Sequence, residues 1–556
     1  MRASSSGSCH RLVGFAVAAA LVACESGGGE EEDWGDDVTG PSITPPTFRR
    51  EPRIEPNPNP AVPMAAIVEV VADTEVVVDL SFVAGDHVVE VTSADLGTEH
   101  QIPVVGFRPG RRYAGSVTIR TLEEGGAAAT SPTILSFDSP PLPDYLPSLT
   151  VLASDPARME PGVTLFAPVT LPQGSGEPIV LALDEAGEVV WYFHGAEAGP
   201  PRSTGRTLVM QGEHGITEID LLGNVRGQWY ASGLGAAGPK GAVPVPVNVF
   251  HHELEVAGES FLSLDVELRN FPDYPTSESD PLAPTAAADV VGDVLVEFDR
   301  DGAIVTQIPL FDVLDPYRIG YDSLYGFWDA TFPAAQNGTH DWGHANAAAV
   351  DPIDGNFLIS LRHQDAVIKV RASDGGLLWI LGPHDNWSPE FQPFLLTPEG
   401  ELEWPYHPHA PALTSDGGLL LFDNGTYRAC PVDPKVAASD NYSRAVEYTI
   451  DEAAMSVRQT WVYGPDDEVF YAPFLGAARP MPTTGNVLVT DGGRSVDALG
   501  EATDAIFIAW HFARIVEVTR DEPAVKVFEV RVGDELGAPP GGVVVYRAER
   551  APGLVY

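Results

Sequence analysis

Between residues 61 and 137 apolar and polar positions alternate in short β-branched runs: Ala66-Ile67-Val68-Glu69-Val70, Val76-Val77-Val78-Asp79-Leu80, Val88-Val89-Glu90-Val91 and Ser116-Val117-Thr118-Ile119. A period of two sends successive side chains to opposite faces of a strand, so these runs predict half-buried sheet. From Leu149 onward there is almost no helical periodicity. One phrase recurs instead: an apolar strand, a turn with Asp or Gly, and a second apolar strand that often ends on an aromatic residue. Its copies cover residues 179–193, 215–230, 294–308, 367–381, 445–463 and 514–530. A second phrase, Gly or Asn ahead of an apolar strand, falls at 206–210, 259–264, 355–360, 418–422 and 485–489.

Two hairpins per repeat make a four-stranded blade, and a ring of such blades leaves no open sheet edge. The predicted fold class is all-β: a β-propeller of about six blades over residues 146–556, preceded by a small β-sandwich over 61–145. The stretch Phe107-Arg108-Pro109-Gly110-Arg111-Arg112-Tyr113 has the form of the loop and tyrosine that lead into a late strand of a fibronectin-type sandwich. Pro140-Pro141-Leu142-Pro143 marks the boundary between the two. Spacing between the copies is uneven, so long inserts, among them 270–290 and 310–337, are expected to decorate one face of the ring.

The beginning of the chain reads as targeting rather than fold. Arg2 and Arg11 precede an apolar run, Leu12 to Ala23, too short to span a bilayer as a mature helix. Residues 1–23 are therefore expected to be a signal peptide. Leu21-Val22-Ala23-Cys24 resembles a bacterial lipobox, in which Cys24 becomes the lipidated N-terminus. Residues 24–60, acidic and then proline-rich, are expected to form a tether that cannot bury enough surface to offset its chain entropy. The expected location is the cell envelope, with the lipid held in a membrane. Glu25 is not the aspartate that retains lipoproteins at the inner membrane, so the outer membrane is favoured.

Composition then narrows the chemistry. With 32 basic and 79 acidic side chains the net charge is −47. Such a field excludes nucleic acid as a partner, and any anion site must be a local cluster of donors. Loss of the leader would leave Cys24 and Cys430 of the three cysteines, so neither a disulfide framework nor a CxxC metal site is expected. A second copy of the chain is a candidate partner, although no motif specifies it.

Several of the fourteen histidines stand just ahead of the second phrase of a repeat: His251-His252, His344 within Asp341-Trp342-Gly343-His344-Ala345-Asn346, and His407-Pro408-His409. Arg362 follows a strand in Ser360-Leu361-Arg362-His363-Gln364. Taken singly, each is explained as a loop residue or a hydrogen-bonded core group. Recurrence at equivalent places predicts convergence near the ring axis. A guanidinium in the cluster argues against a cation and for sulfate, phosphate or carboxylate, so no metal and no cofactor are expected. An imidazole nucleophile must be neutral, with neighbours that stabilise charge on a leaving oxygen, and Asn346 and the other histidines are donors of the right kind.

The block from His340 to Gly382, HDWGHANAAAVDPIDGNFLISLRHQDAVIKVRASDGGLLWILG, resembles the central signature of bacterial aryl-sulfate sulfotransferases. WPYHPHAPALTSDGGLLLFDNG, from Trp404 to Gly425, and YSRAVEYTIDE, from Tyr442 to Glu452, are similar to the segments around that family's nucleophile. The resemblance implies that His409, rather than His407, takes a sulfuryl group from a phenolic sulfate donor and passes it to a phenolic acceptor. It implies that Arg362 binds the sulfate oxygens, that His344 and Asn346 contact the sulfate or the bridging oxygen, and that His252, or its neighbour His251, completes the site. Thr490 is a further candidate for the pocket wall. Neither a nucleotide donor nor a metal is implied, and the sequence has no P-loop and no Gly-rich dinucleotide turn.

Other readings stay open at this level. A non-catalytic surface propeller would make the histidines incidental. A formylglycine sulfatase needs a CxPxR-type segment that Cys430-Pro431-Val432-Asp433-Pro434 does not supply. Trp191, Trp229, Trp379 and Trp461, which would suggest a quinone-dependent dehydrogenase, are explained as blade packing. Residues 351–356 have the look of a calcium loop but lack its later glutamate.

Overall fold

A computed structural model of the chain describes residues 45–554, except 123–125, 174, 197, 213–214 and 336. The expected leader and the lipidation site at Cys24 lie outside the described residues.

The sandwich is built on one long strand. Ala66–Ala84 buries Ala66, Val68, Val70 and Ala72 and then Val76, Val78, Leu80 and Phe82, the period-two pattern read from the sequence. Its first half pairs with Phe48–Pro56 and Gly97–Val104, and its second half with His87–Thr92 and Arg112–Arg120. Both halves face one core with Phe107, Tyr113 and Phe137. Tyr113 is fully buried and its hydroxyl accepts the Arg108 N–H at 2.8 Å.

The expected tether over 24–60 needs one correction: Phe48–Pro56 is a strand of this sheet. Its charges and prolines suggested a spacer. Yet Phe48, Pro52 and Ile54 share one face toward the core while Arg49, Glu51 and Arg53 face outward. Charge and proline are how a natural edge strand is protected.

The rest is a propeller. Among the described residues its strands group into antiparallel four-stranded units, three of which carry a fifth, parallel strand, and one nine-stranded sheet joins the first unit to the last. Five inner strands follow chain order: Pro201–Ser203, His251–Ala257, Ala345–Val350, His409–Leu413 and Ala477–Pro480. The sixth is Gly541–Ala551, from the end of the chain, which pairs with Val163–Leu171 and so forms the inside of the first unit. Conversely Leu149–Ser154 adds to the outside of the last unit through Lys526–Val532. Both ends of the domain are thereby sewn together. The recurring hairpins read from the sequence are the two outer strands of each unit.

Ring closure is visible in the packing. Each adjacent pair of units encloses its own buried apolar cluster, including the pair made by the last unit and the first, where Phe166, Leu181, Ile515, Phe528 and Val545 meet. Burial of this order, at roughly 25 cal/mol per Å² of apolar surface, holds each unit to both neighbours. The sandwich sits on the first units: Val62, Ala65 and Val105 join a cluster with Trp191 and Leu208, and Arg108 meets Asp184 at 2.6 Å.

Candidate active site

Four inner strands carry a bulge at the same level. The register slips between His251 and Leu254, between Ala345 and Ala347, between His409 and Ala412, and between Val545 and Ala548. Beside these slips His252, His344 and Ala410 have φ of 54, 47 and 52°, a left-handed conformation that costs a non-glycine residue about 1–3 kcal/mol. A bulge breaks the in-out alternation of a strand and re-aims a side chain. Here it turns imidazoles from successive units toward the axis.

They meet in a cavity of ≈ 530 Å³, whose wall includes His252, His344, Arg362, His363 and His409. The rings of His252 and His344 are 4.7 Å apart, as are those of His344 and His363. Arg362 is engaged on two sides, by Asp322 Oδ2 and by the Pro473 carbonyl, each at 3.2 Å. A guanidinium has five N–H donors, so others remain for a tetrahedral anion. At the mouth stand Tyr325, Phe327 and Phe507, which are 49%, 45% and 66% exposed. Tyr325 stacks on Phe507 at 5.5 Å, and Phe327 sets its edge against His344 at 5.0 Å. These aromatics give an aryl ring an apolar approach to the imidazoles.

The two leading histidines have different partners. His344 Nδ1 is 2.6 Å from Asp341 Oδ2, and Asp341 Oδ1 accepts the Trp328 indole N–H at 3.0 Å. His409 Nδ1 is 2.6 Å from the amide oxygen of Asn424. Both Nε2 atoms are without a protein partner among the described residues, and both rings line the cavity.

Burial lowers the pKa of His409 well below the ordinary histidine value, and the nearby charges of Arg362 and His344 add to this. His252 is depressed in the same way, His251 to about 4 and His363 to about 3, in each case chiefly by desolvation. His407 is the exception. Burial and Arg362 would lower it, but Asp365 at 3.0 Å and Asp322 at 3.6 Å outweigh them and raise it. Asp341 stays ionised, because His344 and the other donors around it overcome the effect of burial.

These shifts have a consequence for stability. An imidazole depressed in the fold takes up its proton more readily when unfolded, so its contribution is intact above the unfolded value near 6.5 and is lost as pH falls below it. For His251, His252, His363 and His409 together the loss should approach about 1.4 kcal/mol per pH unit for each ring. His407 acts in the opposite sense, its contribution being lost on the alkaline side. Urea midpoints measured from pH 7.5 down to 5 should fall steeply below about pH 6.5. A flat profile would mean that these rings are already charged in the fold.

Not every residue anticipated for the site faces it. Asn346 is buried one layer behind, donating to the Pro408 carbonyl at 2.8 Å, where Ser360 also donates at 2.8 Å, so it steadies the His407–His409 turn rather than touching the cavity. Of the adjacent pair, His252 lines the cavity. His251 is turned behind it, with Nε2 on the Asp265 carbonyl at 3.1 Å. His407 is buried beside Asp365 and Asp322 and does not line the cavity, and Thr490, on a strand of the last unit, accepts the Ala548 N–H of the first unit's inner strand at 2.9 Å.

Other residues escaped sequence reasoning. Asp322 and Tyr427 lie in loops without periodicity, and Tyr427 donates to Asp322 at 3.2 Å. Glu253 receives Arg202 at 2.9 Å and Arg547 at 2.7 Å, while Arg547 also donates to the His252 carbonyl at 3.2 Å. This buried knot fixes the backbone at His252. Asp341 and Asn424 stood inside recognised motifs, and only the fold shows what they touch.

Among the described residues two groupings have metal-like spacing. Asp351, Asp354 and Glu452 grip the Lys369 ammonium at 2.7, 2.7 and 2.6 Å, which satisfies their charge. Asp341, His344 and His363 are close enough to share an ion, but the Asp341–His344 hydrogen bond uses those same atoms.

Fold and site together define a β-propeller with an imidazole- and guanidinium-lined pocket in its channel. The family model described as Arylsulfotransferase (ASST) matches residues 149–536, and the chain belongs to that family. It is 26% identical over 255 residues to a protein of Lelliottia amnigena named Arylsulfate sulfotransferase AssT, a match spanning 38% of this chain and 42% of that one. It is 29% identical over 225 residues to the protein of the same name from Escherichia coli O6:H1, spanning 33% and 36%. The matches thus cover less than half of either relative. Among solved structures, Synechocystis apocarotenoid oxygenase superposes with a TM-score of 0.31 at 11% identity, covering 72% of this chain and 94% of that one, a likeness too slight to bear on function.

Proposed function

We propose that the protein is an aryl-sulfate sulfotransferase that moves a sulfuryl group from a phenolic sulfate ester to a second phenol through a sulfated His409. The observation that carries this reading is the buried His409 ring, its pKa lowered by that burial, in the same cavity wall as the Arg362 guanidinium. In the first step the Nε2 lone pair attacks sulfur and the bond to the aryl oxygen breaks. A cationic His344, its Nδ1–H held by Asp341, gives that oxygen its Nε2 proton and becomes neutral, while Arg362 and His252 hold the non-bridging oxygens. In the second step an acceptor phenol gives its proton to His344 and its oxygen attacks sulfur, releasing His409. The pair Asp341–His344 is suited to this proton traffic, since the ionised carboxylate stabilises the positive charge that the ring carries before the first step and regains in the second. We further propose that lipid on Cys24 holds the enzyme at the cell envelope.

The test is release of a chromogenic phenol from its sulfate ester by the purified protein, with and without an added acceptor phenol. Release that rises with acceptor concentration, with the sulfated acceptor as product, is expected. Equal release to water alone would indicate a sulfatase, and none would favour a binding propeller.

A further inference from the structure

We infer that Asn424 is a positioning residue that fixes the ring proton of His409 on Nδ1, so that Nε2 always presents its lone pair to sulfur. This rests on the reading of His409 as the nucleophile.

Which atoms can donate decides how the Asn424 amide is turned. The amide nitrogen of Asn424 reaches two carbonyl oxygens, Ala472 O and Leu475 O, each at 2.7 Å. A carbonyl oxygen can only accept, so the amide orientation is determined by its surroundings and is no free choice between oxygen and nitrogen. The remaining atom, Oδ1, must then face His409, and it too can only accept. The proton of the neutral imidazole therefore sits on Nδ1. The His407 carbonyl, 3.3 Å from the same nitrogen, favours the same arrangement. Asn424 itself is fully buried. Its two anchors belong to the loop ahead of the last inner strand, Ala477–Pro480, so it ties His409 to the neighbouring unit.

An amide suits this chemistry better than a carboxylate. When sulfur bonds to Nε2 and the aryl oxygen leaves with the electron pair of the S–O bond, the ring still holds the Nδ1 proton and becomes cationic. A cationic ring is a good leaving group, so the sulfuryl group remains transferable. In the second step the N–S electron pair returns to Nε2 and the ring is neutral again, its Nδ1 proton untouched throughout. An amide oxygen accepts the hydrogen bond but does not take the proton. A carboxylate at this place could, and would leave a neutral, more inert sulfated ring. The contrast with His344 is then functional: the imidazole backed by Asp341 exchanges protons, and the one backed by Asn424 keeps its own.

Nitrogen-15 NMR of the protein labelled at histidine, with His409→Gln used to assign the ring, reads the tautomer directly and requires no turnover. The expected spectrum of His409 at neutral pH has a protonated Nδ1 and a bare Nε2. A proton on Nε2, or a cationic ring, would overturn the inference whether or not the protein transfers sulfate. The kinetic arm uses Asn424→Leu, with rates divided by the quantity of enzyme that forms an adduct. The turnover number should fall about tenfold to a hundredfold, as expected for loss of one strong hydrogen bond, while the KM for the sulfate donor holds. A merely structural role would reduce the amount of active enzyme and leave the rate per active site unchanged, and that result would also overturn it. Absence of acceptor-dependent release by the wild-type protein, with the expected NMR spectrum, would count against the sulfotransferase reading and not against the placement of the proton.

Discussion

Replacing His409 with glutamine should lower acceptor-dependent release of phenol by about 10⁴-fold or more, the scale seen when a covalent nucleophile is removed. Glutamine has nearly the reach of the imidazole and offers an amide N–H to Asn424 Oδ1, so the loss should be chemical rather than structural. His409 is buried and Asn346 and Ser360 secure the preceding Pro408 carbonyl, so the turn at 407–409 should survive the change. The cavity keeps Arg362, His344 and His252, and donor should still bind. Equilibrium binding of a phenyl sulfate, mass spectrometry of the quenched enzyme and steady-state rates separate these effects. Binding near the wild-type value, no sulfated peptide containing position 409 and no turnover are expected. A variant that turned over normally would move the nucleophile to His344 or His252, and a sulfated peptide elsewhere would identify it.

The sequence made the scaffold and part of this site legible for the same reason. A propeller repeats, so hairpins of one pattern announce the units, and residues at equivalent places in successive repeats must come together at the axis. His252, His344 and His409 do so, and Arg362, which follows a strand of the unit that carries His344, joins them. Parity could not decide between His251 and His252, since strand alternation assigns faces only while the ladder is regular and a bulge lies at that pair. Asn346 and Thr490 were drawn to the pocket by their motifs, but their hydrogen bonds to Pro408 and Ala548 place them in the supporting layer. Asp322 had no signal at all, because the 310–337 insert has no periodicity and its pairing with Arg362 spans two loops. Phe48–Pro56 was hidden by its own edge chemistry, its charges and prolines being those of a spacer as well as of a guarded strand.

Asp341→Asn should lower turnover by about 10²- to 10⁴-fold, and unequally among donors. Asp341 faces two donors, the Trp328 indole and His344 Nδ1, and an ionised carboxylate accepts from both. Asparagine has one accepting oxygen. If it serves Trp328, the amide N–H group faces His344 and forces the ring into the other tautomer. If it serves His344, the indole loses its partner and the negative charge is gone in either case. His344 lies among His252, His409 and Arg362, so without Asp341 it loses the carboxylate bonded to its ring at the moment a proton must be held. Esters of acidic phenols, whose oxygen leaves as a stable anion, should be only mildly affected. Esters of weakly acidic phenols need the proton in the transition state and should suffer most. A plot of log kcat against leaving-group pKa should therefore steepen in Asp341→Asn relative to wild type. Parallel plots, displaced by a constant, would show that Asp341 only shapes the pocket and that the departing oxygen takes its proton from another donor.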